Sequence, residues 1–305
     1  MTTGSATSSR PYGGDDDLAL MREFLSAAAA ASPPQAYYHP GDLSWNLYRN
    51  PELDPRSEVR LWQDRGGNLL GFAWLEEPDG VVMQVRPDLR GTGILEEPIL
   101  AWASEQLADP GRNPGGEIWT RALETDRRLV DLLGSLGFER DPFHALKMHR
   151  GLGDPLPEAP SPTGWSVREV DGEGEWEDRV EIHREVWQSS RMSLEAYRRL
   201  REAPGYMAEL DLVAVGPGGA LGSYCICWLD AGSKTGLFEP VGTHPAHRGK
   251  GLGRTVMLEG LRRLRALGAR SALVSALHDD EAASGLYESV GFRTVDREYL
   301  YGKKL

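Results

Sequence analysis

Val241-Gly242-Thr243-His244-Pro245-Ala246-His247-Arg248-Gly249-Lys250-Gly251-Leu252-Gly253 is the stretch whose reading decides the fold. It reads as a strand running into a glycine-rich turn that opens a helix. Three glycines within five residues leave the backbone bare, so consecutive N–H groups can converge on one anion while the following helix adds the positive end of its dipole. A pyrophosphate suits such a turn. Downstream, Leu252, Val256, Met257, Leu261, Leu264 and Leu267 recur at helical spacing, and Gly268 supplies a stop signal. Arg254, Glu259, Arg262, Arg263 and Arg265 make the other face of that helix a solvated one. Residues 272–275 then read as a strand, 280–290 as a short helix and 292–300 as a final strand.

Composition bounds the rest. The chain has 305 residues, more than one typical domain of ~100–150, so two domains are expected. A hydrophobic content of 40% with 26% charged residues describes a globular protein able to build real cores. The formal net charge of −12 opposes a broad grip on nucleic acid phosphates. No apolar run approaches the ~20 residues that span a bilayer, and Met1-Thr2-Thr3-Gly4-Ser5-Ala6 lacks the features of a signal peptide. A cytoplasmic protein with no nucleic-acid or membrane partner is the expectation. Cys225 and Cys227 stand at i and i+2 of a strand, where Cα atoms lie ~6.6–6.8 Å apart, so buried thiols are expected rather than a disulfide or a metal site.

The chain divides into unequal copies of one unit. Residues 1–15, polar and glycine-rich up to Asp15-Asp16-Asp17, read as a disordered tail, and the Pro/Gly-rich residues 151–164 as a linker. Between them, residues 16–150 carry the strands 70–75 and 81–85 before Pro87-x-x-Arg90-Gly91-Thr92-Gly93. Residues 165–305 repeat that order, with strands near 221–228 and 237–243 before Pro245-x-x-Arg248-Gly249-Lys250-Gly251. Leu136-Gly137-Phe138 and Val290-Gly291-Phe292 close the two series. An ordered series of shared features points to internal duplication. Strands interleaved with helices, several joined by turns too short for crossovers, give a mixed sheet in an α/β or α+β domain.

Arg248-x-x-Gly251-x-Gly253, followed by Asp280-x-x-Ala283-x-x-Leu286-Tyr287-x-x-x-Gly291-Phe292, resembles the acyl-CoA-binding signature of the GNAT N-acyltransferases. The resemblance implies two tandem GNAT-like domains, each a mixed, mostly antiparallel sheet flanked by helices. It further implies acetyl-CoA as cosubstrate and no metal. Backbone groups from Gly249 through Lys250, Gly251, Leu252, Gly253 and Arg254 would cradle the pyrophosphate, with charge from Arg248 and Lys250. Asp280 joins these cofactor residues through the motif. Val241, Gly242 and Thr243 would bind the pantetheine arm through their main chain, on a strand that splays from its neighbour.

In the same resemblance Tyr287 is the general acid that protonates the departing thiolate, since a phenol of pKa ~10 stays protonated at neutral pH. Glu239 is the candidate base, on the face of Val241 and Thr243 if the pleat is regular; a solvated edge carboxylate is the other reading. Pro240 beside it is a site for a bulge. His183 and Trp187, one helical turn apart, fit an acceptor pocket or ordinary core and rim packing, and Asp42, Trp45 and Arg49 form a similarly open set. The first half departs from the signature: Leu95 stands where Gly253 does, and Leu133 where Tyr287 does. It reads as a degenerate copy, and the second half as the catalytic domain.

The resemblance therefore implies transfer of an acetyl group to a primary amine of a small molecule or peptide, by direct attack in a ternary complex, in a monomer or homodimer. Size and layout are similar to the mycothiol synthase group, which would make the acceptor a cysteinyl sugar-inositol. A non-catalytic acyl-CoA-binding module is the rival of a different class, and the retention of Tyr287 beside an intact glycine turn argues against it.

Overall fold

The computed structural model describes residues 7–158 and 162–305. In chain order its elements are β1 (Ser8–Pro11), α1 (Asp15–Ala30), α2 (Pro40–Tyr48), α3 (Pro55–Glu58), β2 (Val59–Gln63), β3 (Leu69–Glu76), β4 (Gly80–Val85), α4 (Glu96–Gln106), β5 (Glu117–Leu123), α5 (Arg127–Ser135) and β6 (Glu139–Gly151). There follow β7 (Ser166–Glu169), α6 (Trp176–Val186), α7 (Leu194–Arg201), β8 (Asp211–Val215), β9 (Leu221–Asp230), β10 (Thr235–Thr243), α8 (Leu252–Ala266), β11 (Ser271–Leu277), α9 (Glu281–Ser289) and β12 (Arg293–Lys304). No helix among the described residues is long and apolar enough to cross a membrane.

Two compact units result, and neither is a continuous half of the chain. Unit 1 takes the residues up to Tyr38, then Asp54–Lys147 and Val295–Leu305; unit 2 takes His39–Leu53 and Met148–Thr294. In unit 1 the strand order is β1-β2-β3-β4-β5-β12, antiparallel except for β4 beside β5. Its core gathers Leu75, Val81, Ile99, Ala103, Ala122 and Leu133 from sheet, α4 and α5. In unit 2 the order is β11-β10-β9-β8-β7, antiparallel except for β10 beside β11.

The order β9-β10-α8-β11-α9 of unit 2 repeats β3-β4-α4-β5-α5 of unit 1. Local chemistry repeats too. Asp126 caps α5 by accepting from the Leu129 N–H at 3.2 Å, and Asp280 caps α9 by accepting from the Ala283 N–H at 2.8 Å. Helix α8 buries Leu252, Val256, Met257, Leu261 and Leu264 as its spacing predicts, while Leu267, expected on the same stripe, is exposed beyond the last turn. Gly260 brings α8 onto the sheet, because a Cβ there would lie 2.7 Å from Cys227 Sγ and 2.8 Å from the Phe238 ring. Both cysteines are buried free thiols.

The expected tail and domain limits need correction. Residues 1–6 of that tail, and 159–161 of the linker, lie outside the described residues, but Ser8–Pro11 pairs antiparallel with β2 and Asp15 opens α1. The Asp15-Asp16-Asp17 run is the first turn of a helix, where the dipole favours negative charge. Asp17 accepts from the Arg10 guanidinium at 2.5 and 2.6 Å and from the Gly13 N–H at 2.7 Å. The limits 16–150 and 165–305 likewise give way: residues 39–53 fold into unit 2, and the last eleven residues fold into unit 1, where β12 pairs with β5.

Helices α2, α6 and α7 cover one face of the unit 2 sheet through Trp45, Val180, Tyr197 and Leu200, packed on Ile226, Trp228 and Leu237. Beneath them lies a buried polar cluster. The Asp211 carboxylate, fully enclosed, accepts from Arg179 Nε at 3.0 Å, Tyr197 OH at 2.6 Å and Tyr206 OH at 2.9 Å. Such a charge is tolerated inside only because its lone pairs are met. Removing one partner strands the other. Asp211→Ala is expected to cost about 3–5 kcal/mol, the range for breaking a buried ion pair, read as a fall in unfolding free energy by chemical denaturation.

Candidate active site

The parallel ladder between β10 and β11 covers Thr235–Leu237 against Ser271–Leu273 and then ends, so the strands diverge and residues 238–243 have no strand partner on that side among the described residues. On the other side β10 stays paired with β9, but the register slips between Phe238 and Val241, where three steps on β10 oppose two on β9. That bulge at Glu239-Pro240 corrects the expected facing. Phe238 and Val241 are both aligned with the cysteine face of β9, and Glu239 leaves the alternation. The Glu239 carbonyl accepts from Trp228 Nε1 at 2.7 Å, which pins the bulge.

Where β10 ends, the chain enters the glycine turn. Gly249 and Gly251 sit at φ +76° and +79°, and a Cβ at either would point into open space. Gly251 is the N-cap of α8 and carries no side-chain cap. Among the described residues, the N–H groups of Gly249, Lys250, Gly251, Leu252, Gly253 and Arg254 meet no acceptor. Six unsatisfied donors at a helix N-terminus, over open space, are what a diphosphate needs. Gly253 has a packing role: a Cβ there would come within 3.0 Å of Thr243 Oγ1 and of Leu286. Arg248 and Lys250 flank the turn, with Lys250 Nζ 3.0 Å from His247 Nδ1, and Arg254 reaches the Glu158 carbonyl at 3.2 Å.

Of the expected main-chain contacts, the Gly242 carbonyl is already engaged by Ser223 Oγ at 2.7 Å, and the Thr243 hydroxyl lies 3.1 Å from the same oxygen. Asp280 is committed to capping α9 and faces the site through its charge. Tyr287, on α9, is 7% exposed, and its hydroxyl makes no hydrogen bond among the described residues. Burial raises its pKa above the ordinary phenol value, and the charge of Glu239 raises it further. The same carboxylate raises Tyr224, whose pKa burial has already lifted. Glu239 thus lies within electrostatic reach of both tyrosines.

Tyr224 was missed in the sequence because nothing in its spacing distinguishes it from a core residue of β9. Its ring packs on Gly242, where a Cβ would fall 2.7 Å from the ring, and Arg179 Cζ stacks over the same ring, 3.9 Å from its centroid. Its hydroxyl lies 2.9 Å from His183 Nδ1. Of the two readings open for His183, acceptor pocket or core packing, its contacts are those of core packing. It is enclosed, with Nε2 2.9 Å from Ser190 Oγ and Trp45 edge-on to its ring at 5.7 Å, and it holds Tyr224 in place. Trp187 is 45% exposed at the end of α6. Trp45 and Arg49 bear on this site because residues 39–53 belong to unit 2.

Burial lowers the His183 pKa to about 3, with the charges of Arg179 and Arg49 acting in the same direction. The folded state keeps this ring neutral while an unfolded one protonates near ~6.5. Its contribution to stability is complete above pH ~6.5 and is lost as pH falls toward 3. His183→Gln is therefore expected to flatten the decline in melting temperature between pH 6.5 and 4, measured by thermal unfolding across that range.

The acetyltransferase (GNAT) family matches residues 173–292. A mycothiol acetyltransferase of Pseudarthrobacter chlorophenolicus is 31% identical over 257 residues, covering 78% of this chain and 75% of the relative. One from Thermobispora bispora is 29% identical over 251 residues, covering 77% and 80%. A solved tandem GNAT protein from the clavulanic acid biosynthesis pathway superposes with a TM-score of 0.69 at 18% identity, covering 98% of both chains. The diverging strands, the open helix N-terminus and these relatives agree: the chain belongs to the GNAT acetyltransferase family and is an acyltransferase.

Proposed function

We propose that unit 2 transfers the acetyl group of acetyl-CoA to a primary amine, in a ternary complex without a covalent enzyme intermediate. The observation that carries this reading is the set of unsatisfied N–H groups from Gly249 to Arg254, set beside the open edge of β10. These donors would hold the pyrophosphate, and the main chain at Val241 and Thr243 would steer the pantetheine arm into the gap between β10 and β11.

Glu239 accepts a proton from the acceptor's ammonium, freeing the nitrogen lone pair for attack on the thioester carbonyl. A C–N bond forms. As the C–S bond breaks, Tyr287 gives its proton to the leaving sulfur, and the nitrogen loses its second proton to the water or base beside it. The raised pKa keeps Tyr287 protonated throughout the neutral range, so the donor is always loaded. Tyr224 acts as a positioning residue, locked by His183 and Arg179 against Gly242.

For the acceptor, the likeness to mycothiol acetyltransferases over most of both chains supports the free amine of a cysteinyl sugar-inositol. A thiol-release assay with acetyl-CoA and a panel of that compound, polyamines and peptide amines tests both levels. Turnover with another amine alone would keep the reaction and discard this acceptor; no thiol release with any of them would count against the reaction.

Tyr287→Phe should lower kcat by about 10²-fold while acetyl-CoA affinity barely changes, measured by steady-state kinetics alongside calorimetry. An unchanged rate would remove Tyr287 from the mechanism. Gly251→Val places a β-branched side chain at φ +79° over the cradle, and should abolish acetyl-CoA binding in isothermal titration.

A further inference from the structure

Unit 1 keeps the geometry of a cofactor site and fills it with its own atoms. Strands β4 and β5 diverge as β10 and β11 do, with the parallel ladder reduced to Gly80 against Trp119. The turn after β4 repeats the left-handed glycines, at φ +71° for Gly91 and +84° for Gly93. Here the donors are taken. The Gly91 N–H donates to Glu96 Oε1 at 2.6 Å and the Gly93 N–H to Glu96 Oε2 at 3.1 Å. Glu96 is 1% exposed, so its charge is held inside the turn by these bonds.

Aligning Pro87 with Pro245 puts Glu96 where unit 2 has Arg254, so the two copies carry opposite charge at this position of the first helical turn. The rest of the cleft is closed as well. Tyr37 OH donates to the Val85 carbonyl at 2.8 Å on the open edge of β4, and the Tyr38 N–H donates to Gln84 Oε1 at 3.2 Å. Arg90 is bonded to Asp126 at 2.5 Å and lies 4.9 Å over the Tyr37 ring. Among Tyr37, Tyr38, Gln84, Arg90 and Arg121 there remains a cavity of about 20 Å³, room for about one water and far too little for a pantetheine arm.

We propose that the Glu96 carboxylate stands in for the diphosphate in unit 1, and that Tyr37 stands in for the pantetheine arm. Unit 1 is thereby locked against CoA, and each chain holds one cofactor. This rests on the acetyl-CoA reading for the ligand of unit 2, and on unit 1's own bonds for the lock.

Amide NMR of the full chain tests the two parts separately. During a titration with CoA, the resonances of Gly249, Gly251 and Gly253 should move while those of Gly91 and Gly93 stay fixed. Movement of Gly91 and Gly93 with CoA would overturn the lock. In a second arm without CoA, amide hydrogen exchange at Gly91 and Gly93 should quicken by about tenfold or more in Glu96→Ala, as expected for loss of a charge-assisted hydrogen bond. Unchanged exchange there would overturn the role of Glu96, whatever CoA does. If Gly249, Gly251 and Gly253 ignore CoA while Glu96→Ala exposes Gly91 and Gly93, the cofactor reading of unit 2 falls and the lock stands.

Discussion

The early end of the β10–β11 ladder is the constraint on which unit 2 depends. A parallel pair that continued past Leu237 would satisfy the backbone of β10 and leave a plain sheet. By diverging, the strands trade hydrogen bonds for a gap with an open edge, and the next turn carries that openness onto the N-terminus of α8. Two devices hold the gap in shape. The bulge at Glu239-Pro240, pinned by Trp228, re-aims one carboxylate, and the close contact of Tyr224 with Gly242 fixes the floor. Gly242 is required there because any side chain would collide with that ring.

The same architecture has two outcomes in this chain, decided by what meets the donors of a glycine turn. In unit 2 the donors face open space. In unit 1 the buried carboxylate of Glu96, the first residue of α4, satisfies those of Gly91 and Gly93, and an aromatic segment occupies the strand gap. A helix N-terminus demands an anion, and an internal one serves as well as a ligand. The lost features of the first half, Leu95 and Leu133, accompany this closure: both are core residues, packed with Ile99 and Ala103 in the unit 1 interior.

Under the helices that cover the unit 2 sheet, the enclosed Asp211 ties α6, α7 and β8 together through Arg179, Tyr197 and Tyr206. Arg179 then stacks on Tyr224, so the cluster that stabilises the unit also orients a tyrosine beside the splayed strand. Burial keeps His183 neutral, and both its ring nitrogens are spent on positioning.

By itself the sequence determined what depends on neighbours along the chain: the glycine turn, the apolar stripe of α8, the duplicated order of strands, and Tyr287 in its motif. Each is set by spacings of a few residues, which periodicity and turn chemistry read directly. Tertiary structure alone decided what depends on distant partners. Residues 8–11 become a strand because β2 and Asp17 receive them; residues 39–53 and 295–305 join units that their place in the chain does not announce. The facing of Glu239 depends on a bulge against β9, the roles of His183 and Tyr224 on each other, and the closure of unit 1 on where one carboxylate points. Side chains that meet across a fold leave no period in the sequence, because the energy that selects them comes from burial and geometry assembled only when the chain has packed.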